Sequence, residues 1–172
     1  MKTLLLLRHA KSSWDDPSLE DFDRPLASRG ERAAPVMAGY LESKGLRPDL
    51  VLCSPAARAR QTWALVARRL GDGIPVKELQ GIYLGAPSRL LDAIRRAPDE
   101  AACVMLVGHN PGMEHLAMAL AGPGSKPKAL AKLQAKFPTA ALAEIAFETA
   151  AWRDIGHGAG RLKRLVWPKD LA

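Results

Sequence analysis

The chain has 172 residues, 48% of them hydrophobic, which suits one compact domain spanning 1–172 with a single core. No apolar run approaches the roughly 18 residues of a membrane span, and the stretch behind Met1-Lys2-Thr3 is too short for a secretory h-region, so a cytoplasmic protein that does not enter membranes is expected. A net charge of +7 favours anionic partners, but with only 5% aromatic residues and arginines scattered along helical stretches, nucleic acid is not expected to be one of them.

In chain order, Leu4 to Leu7 are four consecutive apolar residues, too few for an ordinary helix, and they run into Arg8-His9-Ala10-Lys11-Ser12. A buried parallel strand ending at a ligand crevice has this pattern, although a core strand with a polar exit has it too. A polar loop follows, broken by Pro17 and Pro25 and expected to lie over the strand end. Ser28 and Glu31 have capping-box spacing, predicting a helix to about Lys44 with Val36, Tyr40 and Leu41 on its apolar face and Gly45 as its stop. Asp49 to Cys53 reads as a second buried strand, and Ser54-Pro55 as the opening of a helix through Leu70, with Pro55 at its first position.

Ile74-Pro75-Val76 predicts a short edge strand, because Pro removes a ladder donor, and Leu79 to Gly85 a loop or short turn. A helix over Pro87 to Arg96 is amphipathic through Leu90, Leu91 and Ile94. A third buried strand, Ala102 to Val107, leads into Gly108-His109-Asn110-Pro111-Gly112 and a helix through Leu120. Residues 122–137 hold four lysines among glycines and prolines and predict a basic, solvated insertion with a short helix over Lys128 to Gln134. Ala140 to Phe147 and Arg161 to Trp167 predict two strands antiparallel to each other, joined through Gly156-His157-Gly158. Cys53 and Cys103, in apolar segments, are expected to be buried free thiols. The alternation predicts an α/β fold: a three-layer αβα sandwich with a mostly parallel central sheet and an antiparallel strand.

Ligands of such sheets bind outside the carboxyl ends of the strands. Three strands end in Arg8-His9, in Ser54 to Arg58 and in Gly108-His109, so two imidazoles and two guanidiniums converge on one crevice. Guanidiniums grip phosphate oxygens bidentately, a neutral imidazole is a competent nucleophile, and nearby cations keep an imidazole neutral at pH 7. The expected chemistry is phosphoryl transfer through a phosphohistidine.

These residues resemble the histidine phosphatase superfamily, which includes the phosphoglycerate mutases. The resemblance rests on Arg8-His9-Ala10 after an apolar strand, on Ser54-x-x-x-Arg58-Ala59-x-Gln61-Thr62, and on Gly108-His109-Asn110-Pro111-Gly112, in the family's order. Arg8 to Trp14, Arg24-Pro25-Leu26, Arg29-Gly30, Phe137-Pro138-Thr139 and Pro168 to Leu171 look like the short SixA-type phosphohistidine phosphatases. The resemblance implies a phosphoglycerate mutase-like fold, His9 as the nucleophile, Arg8 and Arg58 holding the phosphoryl oxygens, and His109 stabilising transition-state charge. Ser12 stands where the family often has a phosphate-binding Ser.

Ala10 replaces the family's usual Gly, adding one methyl group, and Asp15 replaces the Asn common in mutases and is left out of the site. Mutases also carry a catalytic Glu after the second helix; here only Glu78 is offered, outside the usual motif, as a candidate general acid. A phosphohistidine can take a proton on its other ring nitrogen and leave as neutral imidazole, whereas an alkyl phosphate needs a proton donor, so the weak acid motif favours a nitrogen–phosphorus substrate. Cys53 has the wrong spacing to Arg58 for a cysteine phosphatase. His9, His109, His115 and Glu114 match no common metal-ligand spacing, and His157 is expected in solvent. Trp14 and Tyr83 are candidates for packing or for the pocket entrance. The expected protein is a phosphatase needing no metal and no cofactor, acting on phosphohistidine proteins; small phosphate esters, or phosphoprotein binding without catalysis, are the alternatives.

Overall fold

The structure, a computed structural model, describes residues 1–171. Strands β1 (Lys2–Arg8), β2 (Leu50–Cys53), β3 (Val76–Glu78), β4 (Cys103–Gly108), β5 (Leu142–Phe147) and β6 (Gly160–Val166) form one sheet in the order β3-β2-β4-β1-β5-β6. β1 to β4 are mutually parallel, and β5 runs antiparallel to both of its neighbours. The helices are α1 (Ser28–Ser43), α2 (Ala57–Leu70), α3 (Pro87–Arg95), α4 (Gly112–Leu120) and α5 (Pro127–Ala135).

The period-2 alternation of strand side chains divides the four leucines of β1 between two cores. Leu4 and Leu6 pack with Leu52, Leu106 and residues of α3, α4 and α5, while Leu5 and Leu7 pack with Val51, Val107 and residues of α1 and α2. All four leucines are fully buried. At about 1.5–3 kcal/mol for each such side chain, this strand anchors the fold on both faces, which is why positions 4 to 7 are all leucine.

Four local expectations are corrected. Ser28 does not cap: α1 starts one residue earlier than the capping box requires, with Ala27 as N-cap and no side-chain cap bond. The Ala27 N–H instead donates to the Lys11 carbonyl at 2.9 Å, so docking on the exit of β1 sets the helix start. The buried face of α1 is Gly30, Ala34, Met37, Ala38 and Leu41, while Val36 is exposed, because close approach selects small residues over the most hydrophobic ones. Pro55 is not the first residue of α2, which begins at Ala57 after the Ser54 hydroxyl has accepted the Ala56 N–H at 3.2 Å. Finally, 122–137 is not merely solvated: Ala129, Leu133 and Phe137, spaced four apart among the lysines, are buried in the core.

The approach of α1 to the β1 exit is tight enough to make a prediction. A Cβ on Gly30 would lie 2.2 Å from the Lys11 carbonyl oxygen, a backbone atom that cannot swing aside. Gly30→Ala is therefore expected to destabilise the protein by about 1–3 kcal/mol or more, as overpacking does. Urea denaturation reads this directly, and an unchanged midpoint would show that α1 can shift freely.

Candidate active site

At the carboxyl ends of β1, β4 and β2 lies a cavity of about 230 Å³, lined by Arg8, His9, Ser12, Arg24, Arg58 and His109 among others. Strand register makes this convergence unavoidable: Arg8 pairs with Gly108 and Cys53 with Val107, so the three exits emerge level. The His9 N–H donates to the Gly108 carbonyl at 3.0 Å, and the His9 and His109 ring centroids are 5.1 Å apart.

His9 is buried, and its Nδ1 lies 2.7 Å from the Ala10 carbonyl. A carbonyl only accepts, so Nδ1 carries the hydrogen and Nε2 keeps its lone pair. Burial, followed by the positive charges of Arg58, Arg8 and Arg24, pushes the imidazole down to about 4. It is neutral at pH 7, as a nucleophile must be. His109 pairs its Nε2 with the Ser54 hydroxyl at 2.7 Å, and its buried Nδ1 has no partner among the described residues. Burial first, then His9 and Arg58, pushes His109 to about 3.

Arg58 occupies the first turn of α2, and Thr62 one turn later ties that turn to the β1 exit: its hydroxyl donates to the Arg58 carbonyl at 2.7 Å and accepts the Ala10 N–H at 2.9 Å. Gln61 accepts the Leu26 N–H at 2.9 Å, which pins the covering loop. The spacing Arg58-x-x-Gln61-Thr62 thus has a mechanical purpose. Arg8 donates from Nη1 to the Phe137 carbonyl at 3.1 Å, an acceptor shared with Asn110, while its buried Nε has no partner among the described residues.

Two residues of the covering loop to which the sequence assigns no role in the site, Asp21 and Arg24, complete it. Asp21, in a one-turn 3-10 helix at Asp21–Asp23, accepts Arg58 Nη2 at 2.9 Å, Arg24 Nη1 at 2.9 Å and the Tyr83 hydroxyl at 2.6 Å, and its carbonyl accepts Arg58 Nη1 at 2.7 Å. Burial pushes its carboxyl up, but the hydrogen bonds from Tyr83, Arg58 and Arg24 outweigh this and bring it down to about 2. Asp21 is therefore an ionised anchor and not a proton donor. Arg24, buried, donates from Nη2 to the Ser12 hydroxyl at 2.6 Å and stacks on the exposed Trp14 ring, 3.2 Å from its centroid. The available signal was the Asp-x-x-Arg-Pro-Leu string of a loop already expected to cover the strand end.

Of the sequence candidates, Arg8, His9, Ser12, Arg58 and His109 come together, and Glu78 does not. It sits exposed at the end of edge strand β3 and is absent from the lining, which contains no carboxyl group among the described residues. Cys53 is buried, and burial, then Glu78, pushes its thiol up to about 12, the opposite of a reactive thiolate. His115 and His157 are exposed. Among the described residues no three of His, Cys, Asp and Glu gather as a metal-ligand set.

The two depressed imidazoles also make a pH prediction. Their folded values, about 4 and about 3, lie below the ordinary 6.5 of the unfolded chain, so the unfolded state binds more protons as the pH falls. Stability is complete above about 6.5 and is lost progressively as the pH drops towards 4. The urea midpoint of the wild type should fall between pH 7 and pH 4.5, and less steeply in His109→Gln; parallel profiles would remove His109 from the account.

The first 80 or so residues match a family model: residues 4–83 fit the histidine phosphatase superfamily (branch 1). An uncharacterized protein of Mycobacterium tuberculosis is 36% identical over 157 residues, covering 91% of this chain and 96% of the relative. The chain belongs to the histidine phosphatase superfamily. Its fold matches two solved structures of SixA phosphohistidine phosphatase candidates. One, from Agrobacterium tumefaciens, is 34% identical with a TM-score of 0.81, covering 97% of this chain and 98% of that one. The other, from Nakamurella multipartitia, is 29% identical with a TM-score of 0.84, covering 97% and 96%. Within the superfamily it is a member of the SixA-type branch, with the phosphoglycerate mutase-like α/β fold.

Proposed function

We propose that the protein is a protein phosphohistidine phosphatase that works through a phosphohistidine on His9, with no metal or cofactor. The observation that carries this reading is the state of His9: its Nδ1–H is committed to the Ala10 carbonyl, so Nε2 faces a cationic pocket as a neutral nucleophile. Arg8, Arg58 and Ser12 hold the phosphoryl oxygens, with Arg24 keeping Ser12 in place, and His109 adds a hydrogen bond to the charge that builds in the transition state.

Nε2 of His9 attacks phosphorus in line as the bond from phosphorus to the substrate imidazole breaks. The departing ring, protonated on its other nitrogen beforehand, keeps the bonding pair and leaves neutral. The new phosphoimidazolium retains its Nδ1–H on Ala10, and water then attacks phosphorus, returning the electron pair to His9 Nε2 and releasing inorganic phosphate. No step requires a carboxylic acid, which fits a lining without one. An alkoxide leaving group has no such escape. The SixA candidates among the structural relatives, described as phosphohistidine phosphatases, support the same substrate class.

The test is a substrate panel of phosphohistidine proteins, phosphoramidate, and sugar and glycerate phosphates, run with and without chelator. Turnover should favour the nitrogen–phosphorus substrates and survive the chelator. A large preference for esters would reassign the substrate class, activity lost to the chelator would end the metal-free reading, and binding without turnover of any substrate would leave a phosphoprotein-binding module.

A further inference from the structure

Beside the active site lies a second and larger concavity of about 450 Å³, which no step of the proposed reaction uses. It opens where the sheet runs out. β3 is only three residues long, and the chain crosses from it to α3 by a single 3-10 turn at Gln80–Ile82, so the β2–β3 edge is incompletely covered on the α3 face. Leu50, Leu52 and Ile82 form the floor, and Leu79 and Ala93 form half-buried walls.

The rim is charged, and basic residues outnumber acidic ones on it. Lys77, Arg89 and Arg96 stand around it with Asp92 as the one acidic lining residue, and among the described residues none of the four is in an ion pair. By contrast, Arg24 and Arg58 in the active site are each paired with Asp21. Arg89, in the first turn of α3, and Arg96, its C-cap, are seven residues apart, two turns of helix, and so lie on one side of α3 about 10 Å apart along its axis. Two cations at that separation along an apolar trough match successive carboxylates of a polypeptide better than the single head group of a small molecule.

The groove also adjoins the active site. Leu79, Gln80, Gly81 and Ile82 line it, while Tyr83 donates to Asp21 and packs edge-on against His109, and Leu84, exposed and at a positive φ of 52°, lines the catalytic cavity. The groove and the catalytic cavity are thus walled by one continuous stretch, residues 79–84.

We propose that this groove docks an acidic segment with apolar side chains belonging to the phosphoprotein substrate, the apolar groups entering over Leu79 and Ile82 and the carboxylates meeting Arg89 and Arg96. The proposal rests on the phosphatase reading of the neighbouring site. Docking raises the local concentration of the phosphohistidine without adding contacts to the phosphoryl group, so it lowers KM and leaves the chemical step alone.

The test compares two synthetic phosphohistidine peptides, one joined through a Gly/Ser linker to a Leu- and Glu-containing segment and one joined to a Gly/Ser segment of equal length. With wild type the acidic segment should lower KM by about tenfold or more. In Arg89→Glu/Arg96→Glu that gain should vanish, while turnover of phosphoramidate stays at the wild-type rate and certifies a folded, active enzyme. A parallel measurement uses fluorescence anisotropy of the unphosphorylated, labelled Leu/Glu peptide, which reads the groove even if no substrate is turned over. No KM gain in wild type, a gain that survives charge reversal, or equal binding of a Leu/Lys peptide of the same length would each overturn the proposal. So would a concentration-dependent dimer abolished by the charge reversal, since a second copy would then fill the groove. Loss of turnover on every substrate with peptide binding intact would instead count against the phosphatase reading alone.

Discussion

Replacing His9 with Ala is expected to lower kcat by about 10,000-fold or more, as removal of a covalent nucleophile does in enzymes whose groups act as a unit. No neighbouring group can substitute. His109 is held by the Ser54 hydroxyl through Nε2, Cys53 is buried as a thiol, and Asp21 is saturated by Arg58, Arg24 and Tyr83. Rapid quench with a radiolabelled phosphohistidine substrate should trap an acid-labile, base-stable phosphoenzyme in wild type and none in His9→Ala. Because the lost ring leaves the Arg8, Arg58 and His109 donors in place, the variant should still bind inorganic phosphate or vanadate. A phosphoenzyme in the variant would move the nucleophile elsewhere.

The second large effect is expected at Arg58. Arg58→Ala should reduce kcat by about 100- to 1,000-fold, the range seen when a preorganised donor to developing charge is removed. Arg58→Lys should recover little, because a single ammonium cannot both meet Asp21 and present a planar fork to phosphate. The carbonyl and carboxylate of Asp21 accept Nη1 and Nη2 of Arg58, holding in place a guanidinium that lines the cavity. Asp21→Asn should therefore be milder than Arg58→Ala and act through it. Combined with Arg58→Ala it should add much less than its effect in the wild-type background, a double-mutant cycle that measures their coupling. Full additivity would separate Asp21 from Arg58.

His109 and Arg58 were readable as site residues because each follows a short apolar strand within a few positions, and the carboxyl ends of parallel strands are level by construction. Glu78 is a candidate for the opposite reason, as the acidic residue available in the right part of the chain, and the short β3 carries it to an exposed edge instead of into the cavity. Asp21 and Arg24 lie in a loop of Pro, Asp and Ser residues without periodicity, where nothing local says which side chains turn inward. Their places depend on Gln61 of α2 and Tyr83, 35 to 62 residues away in sequence, holding the loop down. The small-residue face of α1 escapes hydropathy for a related cause: hydropathy points to Val36, but the spacing between α1 and the Lys11 backbone admits only Gly at position 30.

What the sequence determined by itself is the alternation of strands and helices, the sheet's mostly parallel character and the four residues at three strand exits, because burial on both faces writes short apolar runs and strand ends follow from them. What only the tertiary structure decided is the electrostatic state of those residues. Which nitrogen of His9 is free, how far the imidazoles are depressed, which carboxylate orients Arg58, and the absence of an acid from the lining all depend on groups distant in sequence meeting within hydrogen-bonding range. Coulombic and desolvation effects are set by distance and burial, and no spacing along the chain specifies either of them.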